Sequence, residues 1–516
     1  MNKNKALSWF DTYMIQKMYE PRKYQRESII KVFDYFEAGA KVVALNAPTG
    51  SGKSIVGMAV ANGMDSSYYV VCNLNLQDQI NKEFTCHKDI RGRSNYKCIL
   101  LDTTCDEGLC QKRKDYKCGE DCEYKIAKKD AIDAQITLTN VWYWILEGGR
   151  NFEKRELVII DEGHNLPEML VMFSRVKITS KNVTKEIFDR AVERYNMIDS
   201  QMFVEELMKD IDSEIDHIGE ISELDDKGLK LLKRLQNMYV RLNNCILAGD
   251  ILVEKFDWWF DIVPMKASAV AKKLLFDRAD KVLMMSATIN PFYIKNELDI
   301  ERILGKKKLG YFNIPSTFPP ERRKIFLMPV VNFKYANQTM ENELKMVDAI
   351  IEIMKLYPDD KGLIFCQGYR YLEMLDGVDS RIITYLREYR KKAIKKWKEG
   401  FGNNVLAGVK MEEGEDLKDN MARFSIIFKS PIPGTLDIRV KERIKRNEWN
   451  WLFSRAQCML VQAAGRIVRS ETDYGDMWVL DEGACKLFKR KGIPQYIKDA
   501  IINLDYKKWK EERENG

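Results

Sequence analysis

The sequence lacks any run of about 18 consecutive apolar residues, so no membrane-spanning helix is expected. Its start, Met1-Asn2-Lys3-Asn4-Lys5, is not followed by an apolar signal stretch, so secretion is not expected either. The two absences point to an intracellular protein, in cytoplasm or nucleoid and cellular or virus-encoded, with no membrane partner. Neither sign of charge dominates: 84 Lys and Arg stand against 77 Asp and Glu, a formal +7. That balance permits nucleic-acid binding without arguing for it, so local basic tracts carry more weight. Disulfides do not persist inside cells, so the 11 cysteines are read as free thiols or metal ligands. With 516 residues, 45% apolar and 31% charged, the chain is globular and too long for one core.

What is present begins at residues 41–54. Val42 to Leu45 read as a buried strand, Ala47-Pro48-Thr49-Gly50-Ser51-Gly52-Lys53-Ser54 as a turn, and Ile55 to Ala61 as a helix. Strand, glycine loop and helix are the setting of a phosphate-binding loop. Gly50 and Gly52 let backbone N–H groups face a phosphate, and the helix N-terminus adds partial positive charge. Lys53 is the candidate for the β/γ-phosphates and the Ser54 hydroxyl for Mg²⁺. Upstream, a helix is expected from near Lys23, with Ile29, Ile30 and Phe33 buried. Gln25 falls in its first turn, where an amide can pair with adenine N6/N7 or simply face water.

Leu157-Val158-Ile159-Ile160 reads as another buried strand, ending in Asp161-Glu162-Gly163-His164. Nucleotide hydrolysis calls for Asp161 in the Mg²⁺ shell and Glu162 orienting or deprotonating the attacking water. His164 is a candidate reporter of nucleotide state. Lys281 to Met285 forms a further strand ending in Ser286-Ala287-Thr288, two hydroxyls able to link the nucleotide site to a second site. Asn73 and Gln77, after the strand at 68–72, are candidates for a nucleic-acid backbone contact.

Six cysteines crowd residues 86–122, where the last five run Cys98-x6-Cys105-x4-Cys110-x7-Cys118-x3-Cys122. No Cys-x2-Cys zinc pair and no ferredoxin run occurs among them. The segment is too polar to fold on apolar burial alone, so a metal centre would account for it. Four thiolates suit zinc or an iron–sulfur cluster, and the spacing leaves both open.

Residues 170–250 carry repeated amphipathic patterns at Ile187–Tyr195, Phe203–Ile211 and Leu229–Leu242, read as a helical insert. Phe256 to Val263, with Trp258 and Trp259, reads as a strand followed by a helix to Leu275. A second α/β unit begins after Pro315–Pro320, with strands expected at Ile325–Val330, Gly362–Cys366, Asn404–Gly408, Arg423–Phe428 and Met477–Leu480. Gln462 to Arg469 reads as a helix with Arg466 and Arg469 three apart on one face, suited to charge on a transferring phosphoryl group. Residues 382–399 form a basic tract with Tyr389 and Trp397 interleaved, able to follow phosphates or to face solvent.

In this order the pieces resemble superfamily 2 helicases of the XPD/DinG-like iron–sulfur branch. Ala47–Ser54 is similar to motif I, Asp161–His164 to a DEAH box with Gly163 for alanine, and Ser286–Thr288 to motif III. Gly414–Asp416 is similar to motif V and Gln462–Arg469 to motif VI. Gly92-Arg93-Ser94-Asn95-Tyr96 before Cys98, and Cys122-Glu123-Tyr124, are similar to the entry and exit of the family's cluster domain.

The resemblance implies two RecA-like parallel-sheet motor domains with a cysteine-rich iron–sulfur insert and a helical arch. Motor domain 1 would take residues 1–95, 135–168 and 255–300, the cluster insert 96–134, the arch 169–254 and motor domain 2 residues 301–516. It implies an ATP-dependent DNA helicase moving 5′→3′ on single-stranded DNA, monomeric, acting on forked duplexes with the cluster domain as wedge. ATP, Mg²⁺ and a [4Fe–4S] cluster are the implied cofactors. Lys53, Asp161, Glu162, Gln462, Arg466 and Arg469 would serve hydrolysis, with Gly414 and Asp416 beside the nucleotide. Four of Cys98, Cys105, Cys110, Cys118 and Cys122 would hold the cluster, with Cys98 and Cys122 the best matches. The rival expectations are a translocase without duplex unwinding, a zinc-stabilised nucleic-acid-binding ATP switch, and RNA as the substrate.

Overall fold

The computed structural model describes residues 1–112, 116–147, 152–221, 225–400, 402–409, 411, 421–466, 468 and 473–515. Contacts divide the chain into two units. The first holds Met1–Leu45, Lys53–Phe312 and Leu436–Glu442; the second holds Asn46–Gly52, Asn313–Thr435 and Arg443–Gly516.

The first unit is built on a seven-stranded sheet. In spatial order its strands are Leu309–Asn313, Val42–Asn46, Ala279–Ser286, Arg155–Asp161, Ser67–Val71, Ile136–Asn140 and Lys88–Ile90. The central pairings are parallel. Helices on both faces bury such strands completely, so Val42–Asn46 and Ser67–Val71 show no solvated face and read as continuous apolar runs. Helix Lys53–Asn62 packs on this sheet through Gly57, where a Cβ would come within 2.6 Å of Met285 Cε.

The expected helical insert is present as Lys185–Arg194, Ser200–Gly219 and Asp226–Ala248. Each begins at an aspartate or threonine whose side chain accepts from the first turn, which satisfies an orphan N–H. Residues 251–264 differ from expectation. They form two strands, Ile251–Lys255 and Trp259–Pro264, paired antiparallel with each other. Trp259–Pro264 also pairs with Val176–Thr179, in a sheet of its own apart from the seven-stranded one. Phe260 is the reason: its ring is buried against Phe188, Tyr195 and Phe203 of the helices. The helix expected to reach Leu275 is a short turn, Ser268–Ala271, continued by a π-helical turn, Lys272–Phe276.

The second unit carries another seven-stranded parallel sheet. Its order is Ile382–Ile383, Val405–Val409, Gly362–Cys366, Phe424–Ile427, Asp476–Asp481, Ile325–Val331 and Ile501–Asn503. All five expected strands are there; the two edge strands were too short to stand out. Helix Arg390–Glu399 buries Ile394 and Trp397 and leaves Lys391, Lys392, Lys395 and Lys396 exposed. Among the described residues no helix is long and apolar enough to cross a membrane.

Candidate active site

Strand register places the acidic residues. Asp161 lies opposite Met285, so Glu162 and Ser286 leave adjacent strands at the same C-terminal edge. Ligands of open parallel sheets bind at such edges. There Ser286 Oγ donates to Glu162 Oε2 at 2.9 Å. His164 Nδ1 lies 2.7 Å from Ser286 Oγ and 3.3 Å from Glu162 Oε2. Thr288 closes the group, its backbone N–H donating to Ser286 Oγ at 3.1 Å. The two hydroxyls expected to act as a link thus do touch the acidic loop.

Asp161 is buried at the strand end. Its Oδ1 accepts from the Glu162 N–H at 2.9 Å and its Oδ2 from Tyr69 Oη at 3.2 Å. Tyr69 also hydrogen-bonds the Ser54 hydroxyl, so one phenol joins the two residues expected to hold Mg²⁺. The Cys72 thiol donates to the carbonyls of Asp161 and Glu162. Tyr69 and Cys72 were missed from the sequence, because a tyrosine in a buried strand and a scattered cysteine both read as packing.

The two carboxyls titrate apart. Burial, then the neighbouring Glu162 charge, pushes Asp161 up to about 6, against the pull of Lys53. Desolvation also raises Glu162, yet the hydrogen bond from His164, the Lys53 charge and Ser286 together hold it well below the usual carboxylate range. Glu162 therefore stays ionised at neutral pH, as a water-orienting carboxylate must. Asp161 binds its proton more tightly folded than unfolded. In metal-free protein its charge therefore lowers stability, an effect that grows above the unfolded value near 3.8 and is complete above about 6. Asp161→Asn is expected to raise the metal-free melting temperature at pH 8 by ~2–4 °C and to lose that gain as the pH falls toward 4. Calorimetry in chelator at the two pH values checks this.

Glu162 sits at φ +52°, in the left-handed region. Next to it, a Cβ on Gly163 would come within 3.1 Å of Met284 Cβ, which explains glycine in place of alanine. Ser286→Ala removes a hydrogen bond to a charged group, a contact of about 1.5–3 kcal/mol, so kcat for ATP is expected to fall ~10-fold with KM little changed. Steady-state kinetics at saturating nucleic acid reads the split.

The loop at residues 47–54 has the expected turn. Gly50 and Gly52 both lie at φ +77°, which a side chain would strain. The Ser51 hydroxyl and N–H both donate to Pro48 O, at 2.7 and 3.2 Å. Lys53 opens the helix, and its charge acts on both Asp161 and Glu162. Gln25 is buried, not solvated, and its Oε1 accepts from the Arg22 N–H at 2.8 Å. Asn73 and Gln77 are used by the fold. Asn73 caps helix Leu74–Glu83, and the buried Gln77 bonds Ile90 O, Asp89 and Asn140.

In the second unit, Gln462 lies on helix Trp449–Ala464 and Arg466 just beyond its end, both part-exposed. Residues Asn46–Gly52 group with this unit, and a Cβ on Gly465 would come within 2.7 Å of Thr49 Oγ1. Gly414, Asp416 and Arg469 lie outside the described residues.

Two family models match the chain: "Helicase C-terminal domain" over residues 350–499 and "Type III restriction enzyme, res subunit" over 18–192. A curated relative, a probable ATP-dependent helicase of Methanocaldococcus jannaschii, is 28% identical over 239 residues, 39% of this chain. The match spans 35% of that relative's length. Among solved structures, an XPD helicase aligns with 94% of this chain and all of its own at 16% identity, TM-score 0.60. Xpd4 of S. tokodaii aligns over the same shares at 17% identity, TM-score 0.54. The chain thus matches a helicase C-terminal domain model over part of its length and shares the fold of these XPD structures.

The cysteine segment lies between strands Lys88–Ile90 and Ile136–Asn140. It folds on aromatic anchors. Tyr124 is buried, its Oη 3.0 Å from Tyr143 Oη, with the Arg93 guanidinium over its ring at 4.2 Å and Tyr96 edge-on at 5.6 Å. Cys98 N–H donates to Thr103 O and Cys105 N–H to Tyr96 O, a small hairpin. The Cys105 thiol interacts with Cys122, Cys122 with Cys118, and Cys118 with Cys110. Among the described residues, however, no group of three or more His, Cys, Asp or Glu is arranged as a metal-ligand set. The donor chemistry nonetheless suits a metal. Burial and Cys122 push the Cys105 thiol up to about 11, and the hydrogen bond with Cys110 followed by burial pushes Cys118 up to about 12. Crowded thiols resist ionising together until a cation compensates them.

Proposed function

We propose that this protein is an ATP-dependent DNA helicase that moves 5′→3′ along single-stranded DNA and separates forked duplexes. The observation that carries the reading is the joined group Glu162, Ser286 and His164 beside Asp161 and the Lys53 loop. A hydrolytic carboxylate wired to a serine-threonine strand end is what a motor needs to pass nucleotide state onward.

In this reading the Gly50 and Gly52 turn and Lys53 hold the phosphates, and Gln25 reads the adenine edge. Ser54 and Asp161 hold Mg²⁺, which when bound offsets charge developing on the phosphates. Glu162, kept ionised, orients the attacking water and takes its proton. Gln462, Arg466 and Arg469 supply positive charge and hydrogen bonds to the γ-phosphate, with Gly414 and Asp416 near the nucleotide. Ser286 and His164 change partners as Glu162 does, and so signal hydrolysis to the strand ends. Cys98 and Cys122, with two of Cys105, Cys110 and Cys118, would hold a [4Fe–4S] cluster. Such a cluster cross-links the segment into a rigid wedge.

The test compares ATPase stimulation by single-stranded DNA, duplex DNA and RNA, alongside strand separation on forks with 5′ or 3′ tails. Stimulation by single-stranded DNA and unwinding from a 5′ tail are expected. Stimulation by RNA alone would overturn the DNA assignment.

The cysteine spacing, with neither a Cys-x2-Cys zinc pair nor a ferredoxin run, supports a second reading. In it the protein translocates on single strands without opening duplexes, or its cysteines bind zinc. Anaerobically purified protein that is colourless and carries zinc would support this reading over the first.

A further inference from the structure

The helices that leave the two catalytic strand ends share one buried cation. Leu166–Ser174 follows the acidic loop and carries Glu168. Pro291–Glu297 follows Ser286-Ala287-Thr288 and ends in Glu297. Arg439 reaches both: Nη1 donates to Glu168 Oε2 at 3.0 Å, and Nη2 donates to Glu297 Oε2 at 2.8 Å and to Met265 O at 3.1 Å. Arg439 is 2% exposed and Glu297 fully buried, so this is no solvated surface pair.

Arg439 belongs to Leu436–Glu442, which groups with the first unit although its place in the sequence lies between strand Phe424–Ile427 and helix Trp449–Ala464. Its neighbours fix it there. Asp437 Oδ1 accepts from the Arg439 N–H, and Oδ2 from Arg175 Nη1, both at 2.8 Å. Arg175 follows helix Leu166–Ser174 and also pairs with the buried Asp261. Lys441 pairs with Glu254 of the antiparallel hairpin.

A buried ion pair is a poor way to add stability, because apolar residues of equal volume do as well or better. What a planar guanidinium adds is geometry: it sets the separation and angle of two carboxylates at once. Here those carboxylates stand on the helices that follow His164 and Thr288. Just ahead of those helices, Ser286 Oγ reaches Glu162 at 2.9 Å and His164 at 2.7 Å.

We infer that Arg439 is a positioning residue for ATP hydrolysis, holding the Glu168 and Glu297 helices so that Ser286 meets Glu162 and His164. The inference rests on the hydrolytic reading above. It adds that a residue outside every nucleotide motif acts on turnover and not on nucleotide binding.

Arg439→Ala alone would strand a buried carboxylate, so the main variant is R439M/E297Q, which removes both charges. R439K, which keeps the charge and loses the fork, is the milder second variant. For R439M/E297Q, kcat is expected to fall ~10-fold while KM for ATP stays within ~2-fold, and R439K is expected to fall between it and wild type. In a Ser286→Ala background the same pair is expected to change kcat by less than ~2-fold, because the contact it maintains is already gone. A purely structural role would give the same loss in both backgrounds and would overturn the inference, as would wild-type kcat in R439M/E297Q or, should that protein not fold, in R439K. Glu162→Gln separates the two levels. Inactive E162Q beside normal R439M/E297Q rejects the inference alone, whereas active E162Q rejects the hydrolytic reading and the inference with it.

Discussion

Under the proposed function, Lys53→Ala is expected to lower nucleic-acid-stimulated ATP hydrolysis by at least ~10²–10³-fold, the range for removing one preorganised charge contact at a reacting centre. Lys53 is the first residue of helix Lys53–Asn62 and part-exposed, so alanine removes no core contact and suits the helix. The Gly50–Gly52 turn is held by Ser51 and Pro48, which the substitution does not touch. The loss should therefore be chemical and not structural. A second consequence follows from electrostatics. Lys53 pulls down both Asp161 and Glu162, so without it both acids move up and the residual activity should shift toward higher pH. Circular dichroism matching wild type, with ATPase near zero, is the expected pair of results. Normal hydrolysis by this variant would remove Lys53 from the site.

The second large effect concerns Cys122→Ser. Cys122 interacts with both Cys105 and Cys118, so it stands at the middle of the thiol chain. It is also the N-cap of helix Glu123–Asp133, with no side-chain cap hydrogen bond. Serine is a better N-cap than cysteine, so the helix should survive or gain while the soft ligand of the proposed cluster is removed. The expected protein is folded but pale, with iron and labile sulfide near zero. It should keep most of its single-stranded-DNA-stimulated ATPase and lose fork unwinding. A variant that still carries iron would take Cys122 out of the cluster. Full unwinding without iron would take the cluster out of the mechanism.

Much of the hydrolytic half could be read in advance because strand ends and loops are local. Val42–Leu45 running into a glycine loop, and Leu157–Ile160 running into two acids, announce the elements, and suggest the proposed chemistry, within a dozen residues. The contacts that join them are not local. Ser286 meets Glu162 across 124 residues, and the parallel register of two strands brings them to one edge. Arg439 is farther still, 271 residues from Glu168, in a segment with no motif of its own. The hairpin at 251–264 was misplaced for a related reason. Its alternation announces strands, but the aromatic partners that decide which sheet they join lie on helices some 60 residues away. Gln77 looked like a ligand-facing amide, since polarity in sequence does not reveal burial.

The left-handed backbone of Glu162 has a consequence for anyone evolving this protein. That conformation costs a side-chain-bearing residue about 1–3 kcal/mol, and glycine or asparagine would relieve it. The ionised carboxylate, held by His164, Ser286 and Lys53, stabilises the fold in the opposite direction, so replacing it relieves the backbone and loses those contacts together. A melting point measured for a Glu162 variant therefore reports the balance of the two effects, and hydrolysis has to be scored beside it.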